Sequence, residues 1–290
     1  MVSLEELSAL DLQIWLRTGL AAARAASCNQ STISRRVERT LGLFQLQLRR
    51  RGGEWQLRGD TQLLRMEREL HQLARFRGQE PLRLEIAPLM VPLLAEPAPR
   101  GWCLGCGDIL GLALPLQLLR EGILDAWLVD NIVDLPSPDD PEFARFDLGR
   151  YPLWVAAIDG HPLVGETGLS LADLQRFPVP QTPQHLFPNT SQIFTALGLS
   201  GVALRSRRYD PADWEGRTAD GISLTYATPF NLSNHPELRR LDSEPLLTNG
   251  LALVVRRDQA HQPVLQTLRA EVLRRLQALH HRLPTLQRLA

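Results

Sequence analysis

Residues 27–37 read Ser27-Cys28-Asn29-Gln30-Ser31-Thr32-Ile33-Ser34-Arg35-Arg36-Val37, and the N-terminal third is interpreted from this stretch outward. Asn29 is an N-cap by type, since its side-chain carbonyl can accept from an orphan amide of a first helical turn. Ile33 and Val37 stand four apart, which predicts a helix whose apolar face turns inward. Gln30, Ser31, Thr32, Ser34, Arg35 and Arg36 are left as short polar or cationic groups at its start. Such groups on a helix N-terminal end suit the major groove of double-stranded DNA. Glutamine can pair with the edge of adenine, arginine with guanine, and serine or threonine with bases or phosphates. The helix N-terminus itself attracts phosphate.

Upstream, Leu4, Leu7, Leu10 and Ile14 follow the spacing of an amphipathic helix that Gly19 is expected to stop. Leu20 to Ala26 forms a second, alanine-rich helix able to approach its neighbours closely. Downstream, Leu46-Gln47-Leu48 and Trp55-Gln56-Leu57 alternate like strands around Arg49-Arg50-Arg51-Gly52-Gly53-Glu54. A hairpin with the guanidiniums of Arg49, Arg50 and Arg51 at its tip is suited to the phosphate backbone. The charge follows the same division. Residues 1–77 hold 13 arginines against 8 acids, and residues 78–290 hold 19 against 24, although the net charge is zero. A cationic N-terminal part beside an acidic remainder points to a polyanion as partner. Solvated charged faces in an arginine-rich chain would produce the same count.

Asp60 can cap a helix from Thr61 to about Arg77, in which Leu63, Met66, Leu70 and Leu73 repeat with a 3-4-3 spacing. That spacing is a seam for a partner helix, or for the chain's own domain.

All 32 cations are arginine. Schiff-base, P-loop and ammonium-base chemistry are therefore outside the chain's means. Three cysteines are too few for a disulfide scaffold. The apolar runs are too short to span a membrane, and MVSLEELSAL lacks the basic start of a signal peptide. A cytoplasmic protein without membrane contact is expected. At 290 residues, two domains are the natural division.

Beyond residue 82 the pattern alternates. Strands are predicted at Leu82–Ala87, Trp102–Leu104 and Leu124–Val129, and a helix that Pro115 starts or kinks closes at Gly122. Further elements follow at Leu153–Ile158, Leu171–Arg176, Val179–Gln181, Ser191–Leu197, Val202–Arg205, Ile222–Ala227 and Leu251–Arg256, then a terminal helix near Gln262–His280. Alternating strands and helices mean an α/β sheet, with its ligand crevice outside the carboxyl ends of the strands.

The string AARAASCNQSTISRRV resembles the core of the winged helix-turn-helix in LysR-type transcriptional regulators, with Gln30, Ser34, Arg35 and Val37 on the family's pattern. LLREGILDAWLV, HPLVGETGLSLADLQRFPV, DGISLTYATPF and LALVVRRDQAHQPVLQTL are similar, in order and spacing, to blocks of the same family's C-terminal domain. The resemblance implies three parts. They are a winged helix-turn-helix over 1–59, a linker and dimerisation helix over 60–78, and a periplasmic-binding-protein-like (type II) effector domain over 82–290. The last would comprise subdomain I (about 82–157 and 250–290) and subdomain II (about 158–249), joined by two crossover strands. It further implies a homodimer or homotetramer, RNA polymerase as a possible partner, and a small-molecule effector in the cleft. Carried onto this sequence, the cleft wall would include Met90, Gln181, Thr182, Thr225 and Thr228. Pro88-Leu89-Met90 stands where the family commonly offers Ser or Thr, and Val91–Gly101 is too short for the usual helix. The cleft is then remodelled, more apolar, or unused.

Two rival chemistries compete with this reading. Gly105-Cys106-Gly107-Asp108-Ile109-Leu110-Gly111 follows a strand and precedes a helix, and Asp130 closes the next strand, imitating a dinucleotide fingerprint. A tight turn explains the same glycines. Cys103 and Cys106 are spaced for redox or zinc chemistry, but a structural zinc needs four ligands, and inert thiols are the simpler reading. No nucleophile elbow or HExxH spacing occurs, so no catalytic residue, cofactor or metal is expected. A degenerate relative acting as a protein-interaction module is the remaining alternative.

Overall fold

A computed structural model describes residues 2–92, 97–199, 201–203 and 208–289. The chain packs into two compact units. The first comprises Met1–Glu85, Arg100–Cys106 and Leu116–Ala126; the second comprises Ile86–Pro99, Gly107–Pro115 and Trp127–Ala290.

The first unit begins with α1 (Leu4–Leu16), entered through a capping box in which Ser3 and Glu6 satisfy each other's backbone amides. Leu7, Leu10, Ile14 and Trp15 are buried, as their spacing requires. Gly19 does not stop this helix. Arg17 ends it in the left-handed region at φ 65°, and Thr18 caps α2 (Gly19–Ala25). The role of Gly19 is steric, since a Cβ there would lie 3.0 Å from the Gln30 side chain at the start of α3 (Gln30–Leu43). Ile33 and Val37 of α3 are buried as expected. Strands β1 (Gln47–Arg51) and β2 (Glu54–Arg58) pair antiparallel about Gly52-Gly53, both at positive φ. Two such residues match the right-handed strand twist that a two-residue hairpin needs.

Helix α4 (Gln62–Phe76) follows, then the parallel pair β3 (Leu82–Ile86) and β4 (Trp102–Leu104). Here the unit is held by a buried ionic network. Arg68 donates to Asp11 at 2.9 Å and to Glu121 at 2.7 Å. Arg83 reaches Asp11 at 3.3 Å and Ser8 at 2.9 Å. Arg75 forks onto Asp125 at 2.8 and 2.9 Å, and Asp125 also accepts from Gln72 and from the Arg83 amide. Burial of five charges here (Asp11, Arg68, Arg75 and Asp125 are each 1% exposed and Arg83 2%) is tolerated because each faces a partner in hydrogen-bonding geometry.

Between the units' segments run α5 (Ala113–Arg120) and β5 (Ala126–Val129). The second unit is built on two long antiparallel strands, β6 (Phe143–Ile158) and β11 (Leu247–Arg256). The first half of β6 was not foreseen; its pattern is masked by Arg145, Asp147 and Arg150. β11 also pairs with β5, while the far end of β6 pairs with β9 (Thr225–Ala227) and β10 (Leu238–Arg240). One long pair therefore passes through two local sheets, the arrangement expected of crossover strands. Around the far end, Leu153, Val155, Phe194, Leu224 and Tyr226 form a buried core with α6 (Leu171–Leu174), β7 (Val179–Gln181) and α7 (Pro188–Ala196), and β8 (Gly201–Ala203) pairs parallel with β7. The expected strand Val202–Arg205 continues into residues 204–207, which lie outside the described residues, as does part of the Val91–Gly101 stretch (93–96). Helix α8 (Pro229–Asn234), α9 (Pro263–Ala278) and β12 (Gln287–Arg288) complete the unit.

Candidate functional site

Three surfaces emerge. On the headpiece, Asn29, Gln30, Ser31, Ser34 and Arg35 are exposed along the start of α3, and Thr32 and Arg36 are half-buried. Asn29 occupies the N-cap position but its side chain caps no amide; its backbone carbonyl accepts from the Thr32 amide at 3.0 Å. Arg36 departs from the expectation of a free cation, because it is ion-paired with Glu5 of α1. The neighbouring Arg39, 2.7 Å from Glu6, is held in the same way. These pairs belong to the α1–α3 contact, which the sequence pattern could not register. The wing carries Arg49, Arg50 and Arg51 exposed as expected; the Arg50 guanidinium lies 5.7 Å from the Trp55 ring centroid, and Trp55 donates to the Arg17 carbonyl at 2.7 Å. Arg58, register partner of Gln47, adds an exposed cation not singled out from sequence.

The second surface is on α4. Its inward face is polar, with Arg68, Gln72 and Arg75 buried in the network described above. Its outward face carries Leu63, Met66, Leu70 and Leu73, exposed by 68, 59, 55 and 40%. This inversion leaves an apolar stripe facing solvent, which soluble monomers rarely tolerate.

The third is a cleft of about 930 Å³ inside the second unit, formed where the chain leaves the carboxyl ends of β5, β7 and β9 and where Ala87–Leu89 follow β3. Of the residues expected there, Thr182, Thr225 and Thr228 line it, whereas Met90 and Gln181 do not. Met90 is wholly buried, because the short turn Pro88–Met90 points Pro88 and Leu89 at the cleft and its last residue into the core. Gln181 is exposed because strand alternation gives the cleft to its neighbour, Thr182. The Thr228 hydroxyl is already engaged in the capping box that opens α8, accepting from the Asn231 amide at 3.2 Å.

The cleft's strongest features were not visible in the sequence. All three tyrosines of the chain, Tyr151, Tyr209 and Tyr226, line it, together with Phe187, Phe194 and Trp214. Phe194 stacks on Tyr226 with ring centroids 4.3 Å apart, and Phe187 meets Trp214 edge-on at 6.5 Å. Asp130 and Glu215 are the charged side chains of the lining among the described residues. Burial pushes the Asp130 carboxyl up to about 6, its own backbone amide opposes the shift, and the Glu215 charge adds to it. The Tyr151 hydroxyl donates to the Asp130 backbone carbonyl, and the Tyr209 hydroxyl donates to Glu215 at 2.8 Å. Burial, then the Glu215 charge, holds the Tyr209 phenol far above its usual range. In the sequence Asp130 stands out only as the acid of the imitated dinucleotide fingerprint; no local signal marks the tyrosines, which come from three separate segments.

The rival readings lose their footing here. A Cβ at Gly105 would lie 2.1 Å from the Glu85 carboxylate, so an acid occupies the space that a pyrophosphate would need. Cys103 is partly buried and burial pushes its thiol up, which disfavours the reactive thiolate; Cys106 is exposed, and the two are not joined in a disulfide. Among the described residues no cluster of side chains is suited to a metal ion, and no helix is long and apolar enough to cross a membrane.

A three-helix headpiece with a wing, a connecting helix and an α/β unit with a cleft at its strand ends together define a transcriptional-regulator fold with an effector-binding domain. The chain belongs to the LysR family, for residues 111–277 match the model described as the LysR substrate binding domain. Solved structures agree. A full-length OxyR variant from Pseudomonas aeruginosa is 15% identical and covers 94% of this chain and 95% of its own, with a TM-score of 0.58. An OxyR mutant from Corynebacterium glutamicum is 16% identical over 97% and 95%, with a TM-score of 0.54. Full-length CbnR, solved in complex with its target DNA, is 15% identical over 94% and 99%, with a TM-score of 0.54. At these identities the likeness is one of fold. No curated protein matches the chain.

Proposed function

We propose that the chain is a DNA-binding transcriptional regulator that works as a homodimer or higher homo-oligomer and responds to a small molecule held in the cleft. The observation that carries this is the headpiece surface, where the polar start of α3 lies exposed and a wing bearing three exposed arginines follows it in the chain. The solved CbnR complex, a protein of the same fold, holds its target DNA. In this reading Gln30, Ser31, Thr32 and Ser34, with Asn29 at their edge, contact bases or adjacent phosphates. Arg35, Arg49, Arg50 and Arg51 supply affinity through phosphates. Arg36 has first to part from Glu5, so its contribution is smaller. The α4 stripe of Leu63, Met66, Leu70 and Leu73 pairs two copies, which places two recognition helices on half-sites about one or more duplex turns apart. The three-part division at 1–59, 60–78 and 82–290 is the domain scheme of this reading.

Electrophoretic mobility shift with the DNA upstream of the gene tests it. Arg50→Ala should weaken binding to every duplex and reduce the salt slope by about one. Gln30→Ala should change which sequence is preferred. Absence of any shifted band with the wild-type dimer would end the reading.

A further inference from the structure

We propose that the cleft is built for a positively charged organic ligand, an ammonium group carried on an aromatic or aliphatic body. The proposal rests on the reading of the cleft as an effector site and adds the charge class of what enters it.

The first ground is the inventory of charge. Asp130 and Glu215 face the cleft, and no arginine or histidine lines it among the described residues. Glu215 is only 5% exposed, and its hydrogen bond comes from a neutral phenol, Tyr209, so neither carboxylate gains a positive neighbour from the lining. Two carboxylates in a largely apolar wall attract a cation and repel an anion, and the low dielectric strengthens both effects.

The second ground is that the helix starts and side-chain amides around the cleft that could hold an anion are engaged by the chain itself. The first amides of α7 point to Asp134, which accepts from Asn189 N at 2.6 Å and Thr190 N at 3.3 Å. The Asn131 side-chain amide also donates to Asp134, at 2.8 Å, and that of Asn231 donates to the Tyr226 carbonyl. At the start of α8, the Thr228 amide donates to the Asn231 side chain at 2.6 Å. A carboxylate or phosphate entering the cleft would find these donors committed and two like charges beside it, although the Trp214 indole N–H and the Thr182 hydroxyl of the lining are buried without a partner among the described residues.

The third ground is the wall. Aromatic faces attract cations through the ring quadrupole, and desolvation makes the attraction larger. Tyr226 and Phe194 line the cleft stacked on each other, so each keeps one face, and Trp214 and Phe187 supply a second, edge-on pair. The raised Asp130 carboxyl is consistent with a buried acid lacking a cationic neighbour, which an ammonium ligand would bring.

The test is calorimetric titration of the full-length protein at pH 7.5 with two matched pairs, phenethylamine against 3-phenylpropanoate and hexylamine against hexanoate. The amine of at least one pair should bind at least tenfold more tightly than its carboxylate. Asp130→Asn and Glu215→Gln should each weaken that amine tenfold or more, while thermal melting shows both variants folded. Tighter binding of the carboxylates, amine affinity indifferent to both substitutions, or no binding by either pair overturns the proposal. Mobility shift with upstream DNA on the same preparation separates the two readings. DNA binding without amine preference removes the charge class alone, whereas no DNA binding removes the regulator reading beneath it.

Discussion

Asp130, which lines the cleft, is held there at the expense of stability. Its folded carboxyl is raised to about 6 from an ordinary 3.8, so the folded state holds a proton that the unfolded state has released. The associated stability is present below about pH 4 and lost as the pH rises through 6. Asp130→Asn removes the cost of ionising a carboxylate in that position. Chemical denaturation should show the variant more stable than wild type at pH 7.5, by on the order of 2–3 kcal/mol, with the difference vanishing near pH 4. Asp125 makes the opposite case. It accepts two bonds from Arg75 and further ones from Gln72 and the Arg83 amide. Asp125→Ala would leave a buried guanidinium unpaired and should destabilise by about 3–5 kcal/mol in the same measurement. Nothing in the local sequence separates these acids. Each stands at an end of β5, and only what it meets across space pairs one with Arg75 and leaves the other on the cleft wall.

At the scale of elements, α3 and α4 were the most readable parts. The Ile33–Val37 interval set the inward face of α3, and the Leu63–Met66–Leu70–Leu73 spacing drew the stripe on α4 correctly. What the spacing could not decide was direction, because an apolar stripe ordinarily turns inward. It turns outward here because Arg68, Gln72 and Arg75 on the opposite face are matched by Asp11 and Asp125. If that stripe joins two copies, Leu70→Arg should yield monomers in light scattering and reduce DNA affinity at least tenfold, with the melting of each headpiece unchanged. Persistence of dimers would place the interface elsewhere. The cleft loops were less readable. Thr182, Thr225 and Thr228 line it but Met90 and Gln181 do not, because a one-residue change of phase on a strand or turn moves a side chain to the other face.

For the whole molecule, the proposed DNA-binding and amine-binding events would be coupled if the amine acts as effector. An amine that alters affinity for DNA by some factor must have its own affinity altered by DNA by the same factor, since the coupling is a free energy shared by both ligands. Titrating phenethylamine into free protein and into the protein–DNA complex should therefore give affinities whose ratio equals the ratio of DNA affinities with and without amine. Factors of about 5 to 150 are usual for such coupling. Unequal ratios would mean that one ligand acts outside the protein's binding equilibrium.

Periodicity, capping residues, turn glycines and the placement of arginines were enough to define the headpiece, the connecting helix and the α/β class. Each is a local rule, acting over one helical turn or one hairpin, and so is written along the chain. The cleft's chemistry is of another kind. Three tyrosines from β6, the approach to Glu215, and β9 meet two acids from distant segments only after β6 and β11 have paired along their length. Electrostatic character depends on which charges share a desolvated volume, and that is settled by packing across long sequence separations. Tertiary structure alone therefore made the cleft acidic, aromatic and without a lining cation among the described residues.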